Sequence, residues 1–207
     1  MSQIQSVSYD QDYIIKSIME LCGIEQFDAD LTYGNGGFWK NLPPPKIKFD
    51  LDPQTVDTIQ ANSMALPLGQ DCMDSLMFDP PFLTYIKAGR EHNSVMGKRF
   101  SGYWRYDELE MHYRGTLFEA NRVLRKGGIF VIKCQDIIHN HKMHCTHANV
   151  INWAEGMFRL KDLFVLPAKH RMPMPESKTG TKRKQQHARI HHSYFLVFEK
   201  IKGRDTQ

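Results

Sequence analysis

Nowhere do these 207 residues hold the roughly 18 consecutive apolar positions that a membrane-spanning helix needs. The opening Met1-Ser2-Gln3-Ile4-Gln5 lacks both the basic and the apolar region of a secretory signal. Cysteine is scarce: Cys22, Cys72, Cys134 and Cys145 stand far apart, with no paired framework. That spacing excludes a disulfide-stapled scaffold and suits a reducing compartment. These absences predict a cytoplasmic protein with no membrane partner. Repeats and low-complexity tracts are missing too, so a solenoid or array is excluded. What remains is 41% hydrophobic and 24% charged, the composition of an ordinary globular domain. The length suits a single domain over 1–207 with loop insertions and a real core.

Acid is nearly absent from residues 167–192, where Glu176 is the one carboxylate. Lys178 to Lys184 reads Lys-Thr-Gly-Thr-Lys-Arg-Lys, with His170, Arg171, His187, Arg189, His191 and His192 around it. The overall charge of +4 names no partner, but this concentration suits a nucleic acid backbone, with Lys182, Arg183 and Lys184 as phosphate contacts. A solvated loop would show the same pattern.

Apolar runs alternate with helical patterns, the signature of a parallel α/β sheet. A helix is expected over Tyr9–Cys22, with Tyr13, Ile14, Ser17, Ile18 and Leu21 at helical spacing and Gly23 as its stop. Strands are expected at Ile24–Asp30, Lys46–Asp50 and Met73–Phe78. A long helix follows over Asp107–Lys126, where Leu109, Tyr113, Leu117, Ala120 and Leu124 share a face, Asp107 caps and Gly127-Gly128 terminates. Ile129–Cys134 is a near-continuous apolar strand, as expected where both faces are covered. A helix near Thr146–Met157 and strands at Leu160–Leu166 and Ser193–Glu199 complete the order, the last two as an antiparallel pair. Long loops at 31–45, 83–106 and 167–192 follow carboxyl ends of strands, where open α/β sheets bind ligands.

Two motifs carry chemistry. In Asp30-Leu31-Thr32-Tyr33-Gly34-Asn35-Gly36-Gly37-Phe38, the glycines let the backbone turn tightly and approach a nucleotide-like ligand. Asp50, ending the next strand, can accept both hydroxyls of a ribose; a plain loop acid would also fit. The glycine spacing is not that of a dinucleotide site, which disfavours a nicotinamide. The second motif is sharper: Met73–Phe78 runs straight into Asp79-Pro80-Pro81-Phe82. Two consecutive prolines cannot continue a sheet or a helix, so they fix a rigid turn. The turn holds the Asp79 carboxylate and the Pro80 carbonyl as acceptors beside an aromatic ring. Acceptors aimed at the hydrogens of an exocyclic base amine free its delocalised lone pair and stabilise charge as it attacks a methyl donor. Phe82 would stack on a base that has left its helix.

The ordered set of glycine turn, acidic second strand and Asp-Pro-Pro-Phe resembles the DNA amino-methyltransferases of the class I S-adenosylmethionine-dependent fold. The resemblance also draws on Ala61-Asn62-Ser63-Met64-Ala65-Leu66-Pro67-Leu68, on Glu119–Gly128 entering the fifth strand, and on His192–Phe198 as the last strand. It implies a doubly wound, mostly parallel seven-stranded sheet with an antiparallel last strand. It implies S-adenosylmethionine over Asp30, Gly34, Gly36 and Asp50, with Asn62 near the adenine where an aspartate is common, and Asp79 close by. It implies methyl transfer at Asp79, Pro80, Pro81 and Phe82, with adenine N6 favoured by the leading aspartate and cytosine N4 as the alternative. Leu31-Thr32-Tyr33 departs from the proline-containing first loop often found in the family. Sequence reading is expected to fall on 83–106 and 167–192.

Other signals stay open. Arg99, Tyr103 and Trp104, in a run of aromatic and basic residues from Lys98 to Tyr106, suit an unpaired base and its phosphates, or a loop packing back onto the core. Phe38 and Trp39 could line the cofactor pocket or belong to the core. His139, His141, His144, Cys145 and His147 could ligate zinc but lack a remote second pair of ligands, so no metal is expected. Cys134 reads as a buried apolar residue. Two rivals to a DNA enzyme remain: an RNA base methyltransferase, and a non-catalytic module that binds cofactor or nucleic acid. Oligomeric state is not legible.

Overall fold

The computed structural model describes residues 3–82, 84, 103, 105–169 and 185–201. Among them one sheet of seven strands dominates, in the order β3-β2-β1-β4-β5-β9-β8. The strands are β1 (Ala29–Asp30), β2 (Ile47–Asp50), β3 (Ile59–Gln60), β4 (Met73–Phe78), β5 (Leu124–Cys134), β8 (Phe158–Pro167) and β9 (His192–Lys200). β1, β2, β3, β4 and β5 pair in parallel, and β9 runs antiparallel between β5 and β8. A separate hairpin joins β6 (Ile137–His139) to β7 (Lys142–His144).

The strands bury alternate residues on opposite faces, as the period of two dictates. Leu76, Phe78, Phe130, Ile132, Leu196 and Phe198 enter one core, while Met77, Val131, Phe195 and Val197 enter the other. The first core is roofed by α2 (Tyr106–Val123) and α3 (Thr146–Trp153). The second is covered by α1 (Gln11–Cys22), whose Ile14, Ile15 and Ile18 have no exposure. Burying each such isoleucine stabilises the fold by about 1.5–3 kcal/mol. Asp10 caps α1, its carboxylate accepting from the Asp12 and Tyr13 amides, and Gly23 ends it with φ +65°.

Several boundaries differ from the expectations. The first strand shrinks to two residues because Asp28 turns sideways, accepting from the Asp74 and Ser75 amides and pairing with Lys46. α2 ends at Val123 rather than Lys126, and β5 starts at Leu124. Gly127, at φ +80°, and Gly128 therefore lie in an irregularity of β5. A Cβ on Gly128 would approach the Arg125 carbonyl oxygen to 2.9 Å, so the close backbone demands glycine. Arg105, not Asp107, holds the N-cap position of α2; the Glu108 carboxylate accepts the Arg105 amide, and Asp107 pairs with the Arg105 guanidinium. α3 stops at Trp153, and its neighbour β8 begins two residues earlier than expected, at Phe158. No helix among the described residues is long and apolar enough to cross a membrane.

Candidate active site

The carboxyl ends of β1, β2 and β4 bring Asp30, Asp50 and Asp79 to one edge of the sheet. Asp30 is 2% exposed. Its Oδ1 accepts the Thr32 amide at 2.9 Å and its Oδ2 accepts the Trp39 indole N–H at 2.6 Å. Burial pushes its carboxyl up to about 7, with the charges of Asp79 and Asp50 adding to the effect. Asp30 therefore braces the loop from within. Trp39 is buried against Phe27 and Phe38, which makes it core.

The loop turns at Gly34 (φ +57°) and Gly36 (φ +74°). A Cβ on Gly36 would meet the Tyr33 hydroxyl at 2.6 Å, so only glycine leaves that ring in place. The Asp50 carboxylate accepts the Gly34 amide through Oδ2 at 2.7 Å and the Asp52 amide through Oδ1 at 2.9 Å. Asn62 is exposed, and its side-chain oxygen accepts the Met64 amide at 3.0 Å, closing its own turn beyond β3. The segment is anchored from below: Ser63 bonds His112 and Thr116, and Glu119 accepts the Leu66 amide.

The Asp-Pro-Pro-Phe turn leaves β4 directly above this loop. The Asp79 amide donates to Thr32 Oγ1 at 2.8 Å, and the Leu31 amide donates to the Met77 carbonyl at 2.9 Å. Trp39, Asp30, Thr32 and Asp79 thus form one hydrogen-bonded chain from the core to the turn. Pro80 is buried, while Pro81 and Phe82 are half-buried.

Lys133, near the end of β5, is a partner the sequence did not disclose. Its ammonium lies 3.1 Å from Asp79 Oδ2 and 2.9 Å from Gln11 Oε1, over the rings of Phe38 and Phe195. Burial holds the Asp79 carboxyl above its ordinary value, and Lys133 offsets only part of that rise. A cleft of about 420 Å³ opens beside this pair, lined by Phe82, Lys133, Gln135, Lys169 and His192 among others. The one sequence signal for Lys133 was a cation inside an otherwise apolar strand.

Tyr103 turns inward: it packs on the core, its hydroxyl meets His112 Nδ1, and burial pushes that imidazole down to about 4. Tyr106 is buried and stacks on His144 with centroids 3.7 Å apart. Arg99, Trp104, Lys182, Arg183 and Lys184 lie outside the described residues. The histidine-rich stretch is spread over β6, β7 and α3, where His147 bonds Asp136. No three His, Cys, Asp or Glu side chains among the described residues are placed to hold a metal ion. Cys134 is fully buried.

No protein-family profile and no curated protein match this chain. Solved structures do. The putative methyltransferase complexed with the Trm112 activator of Haloferax volcanii aligns with a TM-score of 0.52 at 13% identity, over 92% of this chain and 89% of the other. TrmN from Thermus thermophilus aligns with a TM-score of 0.50 at 13% identity, over 91% of this chain but 48% of its own. A putative DNA modification methylase, also from Thermus thermophilus and solved with S-adenosyl-L-methionine, aligns at 0.45 and 15% identity, over 71% of this chain and 56% of the other. The chain thus spans about half the length of the two Thermus proteins. With five parallel strands, an antiparallel β9 inserted before β8 and helices on both faces, this is the Rossmann-like class I methyltransferase fold.

Proposed function

We propose that this chain is an S-adenosylmethionine-dependent methyltransferase that acts on the exocyclic amine of a nucleic acid base, adenine N6 in DNA before other amines. The observation that carries this is the bracing of the Asp79-Pro80-Pro81-Phe82 turn on the glycine loop, through Thr32 and Asp30, at the lip of an open cleft.

The residues present fit the cofactor. Gly36 lets the loop turn against the Tyr33 ring, and nothing lies within 4 Å of a Cβ on Gly34, which leaves room there for a ligand. The Asp50 oxygens each hold one backbone amide and keep further lone pairs for ribose hydroxyls. Asn62, exposed beyond β3 with its oxygen engaged by Met64, has an amide NH₂ that suits an adenine edge. When bound, the cofactor supplies an electrophilic methyl group on a sulfonium.

The protein's part is orientation and charge. Lys133 holds Asp79 Oδ2, leaving Oδ1 for one amine hydrogen, and the Pro80 carbonyl takes the other. These acceptors draw the nitrogen towards tetrahedral geometry and stabilise the positive charge it gains. The Asp79 backbone, fixed by Thr32 and followed by two prolines, needs no rearrangement during the step. Phe82 stacks on the extruded base, and the basic segment 167–192 engages phosphates.

Methyl transfer from labelled S-adenosylmethionine to unmethylated duplex DNA, by wild type and by Asp79→Ala, tests the proposal. Loss of incorporation in the variant is expected, with N6-methyladenine in the digested product. Equal incorporation would remove Asp79 from the mechanism. Preference for total RNA in competition would move the substrate to RNA. Calorimetric cofactor binding with no transfer to either would leave a binding module.

A further inference from the structure

Methylating an amine forms an N–C bond at the expense of the cofactor's S–C bond, whose electron pair stays on sulfur. The nitrogen must then shed one proton. Asp79 Oδ2 is held by the Lys133 ammonium and Oδ1 is assigned to orienting the amine, so a separate group is needed to carry the proton away. Yet the wall of the cleft carries His192, the end of a polar chain that methyl transfer, as described so far, does not use.

His192 opens β9 and lines the cleft with Phe82 and Lys133. Its Nε2 lies 2.8 Å from the Tyr194 hydroxyl, two residues along the same strand face. Tyr194 donates to Asp136 Oδ2 at 3.4 Å. Asp136, 4% exposed, follows β5 and uses Oδ1 to accept from the amide of His147 at 3.2 Å and bond its Nδ1 at 2.7 Å. The Tyr194 ring is held between its two neighbours, stacked on His147 at 4.2 Å and edge-on to His192 at 5.0 Å. The Gln135 side chain donates to the His192 carbonyl at 2.9 Å. A buried carboxylate in contact with a tyrosine and a histidine is costly unless its bonds are satisfied, and here both oxygens are.

We propose that His192 accepts the proton released by the target amine, and that Tyr194 and Asp136 are positioning residues that fix its ring and set its basicity. This rests on the function proposed above. With Tyr194 donating to Asp136, His192 Nε2 carries the hydrogen shared with the tyrosine oxygen, and Nδ1 is the basic nitrogen left to take the proton. The proton passes to water when the methylated base leaves. Burial, seconded by Asp136, pushes the Tyr194 hydroxyl up to about 12, so it stays a donor at neutral pH. Lys133 on β5 and Lys169 after β8 oppose the protonation of His192, and Asp136 favours it through Tyr194. Asp79 is neutralised by Lys133; Gln11, Gln135 and Ser193 carry no charge; and His147 lies beyond Asp136. Imidazole is the side chain whose ordinary chemistry takes up and releases a proton near neutral pH.

The test uses wild type, His192→Gln, Asp136→Asn and Tyr194→Phe, with two readouts. Histidine side-chain NMR titrations need no substrate. The kcat of methyl transfer is followed against pH on saturating DNA. The wild-type rate rises through an acidic limb that matches the titration of His192. His192→Gln loses about a hundredfold in kcat, with KM unchanged, and loses the limb. Asp136→Asn removes the carboxylate from the chain, and its limb still follows the His192 titration measured in the same variant. Tyr194→Phe shifts His192 alone, which keeps the test open if Asp136→Asn does not fold. An active wild type whose limb survives His192→Gln, or fails to follow His192 in the other variants, overturns the assignment while leaving the function intact. A wild type that methylates no nucleic acid removes the function and this assignment together.

Discussion

Lys133 on β5 and Asp79 at the end of β4 form an ion pair, Nζ to Oδ2 at 3.1 Å, with both side chains largely buried. Burial alone raises the Asp79 carboxyl, and Lys133 is the group that opposes it. In Lys133→Met the Asp79 pKa therefore rises further. A mechanism that needs the carboxylate then loses rate as pH falls through that raised pKa, so Lys133→Met gains an acidic limb distinct from that of His192, which the Lys133→Met/His192→Gln double variant keeps. We expect a loss of rate that deepens as pH falls and recovers as pH rises. Lys133→Arg retains the charge and should restore most of the rate. Profiles that superimpose would show that Lys133 does not govern Asp79.

The motifs that announced themselves in the sequence are those whose signal is local. Met73–Phe78 reads as a buried strand, and Pro80-Pro81 can only end it, so β4 and its turn were legible together. The buried face of α2 was equally plain, because Leu109, Tyr113, Leu117 and Ala120 recur at helical spacing. The signal fails where partners are remote or periodicity is missing. β3 has two exposed residues and no apolar pattern. Arg125-Lys126-Gly127-Gly128 looks like a helix stop, yet the pairing of Leu124 and Ile129 with β4 on either side makes it an irregularity within β5. Nothing local ties Lys133 to Asp79, 54 residues away. The histidine-rich loop became a hairpin because Ile137 and His139 bury against the domain while β7 stays largely exposed.

Asp30 supplies a prediction about stability rather than rate. Its folded pKa of about 7 lies above the unfolded value of 3.8. The folded state thus binds a proton that the unfolded state releases, and this contribution is present below about pH 4 and lost as pH rises towards 7. Asp30→Asn cannot ionise, so its stability relative to wild type should improve between pH 4 and pH 8. The swing is on the order of 3–5 kcal/mol, about 1.4 kcal/mol per pKa unit. Urea denaturation at both pH values measures it, and a difference that does not move with pH would show that Asp30 ionises normally.

The basic segment predicts a salt effect. In duplex binding, each phosphate neutralised contributes about −0.9 to the slope of log K against log salt concentration. Replacing Lys182, Arg183 and Lys184 together by alanine should flatten that slope by about 2–3 and weaken binding most at low salt. Fluorescence anisotropy on a duplex across a salt series reads both quantities. An unchanged slope would return the segment to plain solvent.

Gly34 and Gly36 separate the needs of the fold from those of the ligand. Both sit at positive φ, where alanine costs roughly 1–2 kcal/mol. At Gly36 the new Cβ would also come within 2.6 Å of the Tyr33 hydroxyl, and the Tyr33 ring lies under Lys48 at 4.9 Å. Gly36→Ala should therefore lower the Tm of the free protein more than Gly34→Ala does, because a packed ring has to move. At Gly34 a Cβ meets nothing within 4 Å, in the space assigned above to the cofactor, while the Gly34 amide itself holds Asp50. Gly34→Ala should cost only the backbone strain in Tm, yet weaken S-adenosylhomocysteine in calorimetry by more than that strain accounts for. If affinity follows Tm in both variants, the loop shapes the fold alone, and the cofactor lies elsewhere along the sheet edge.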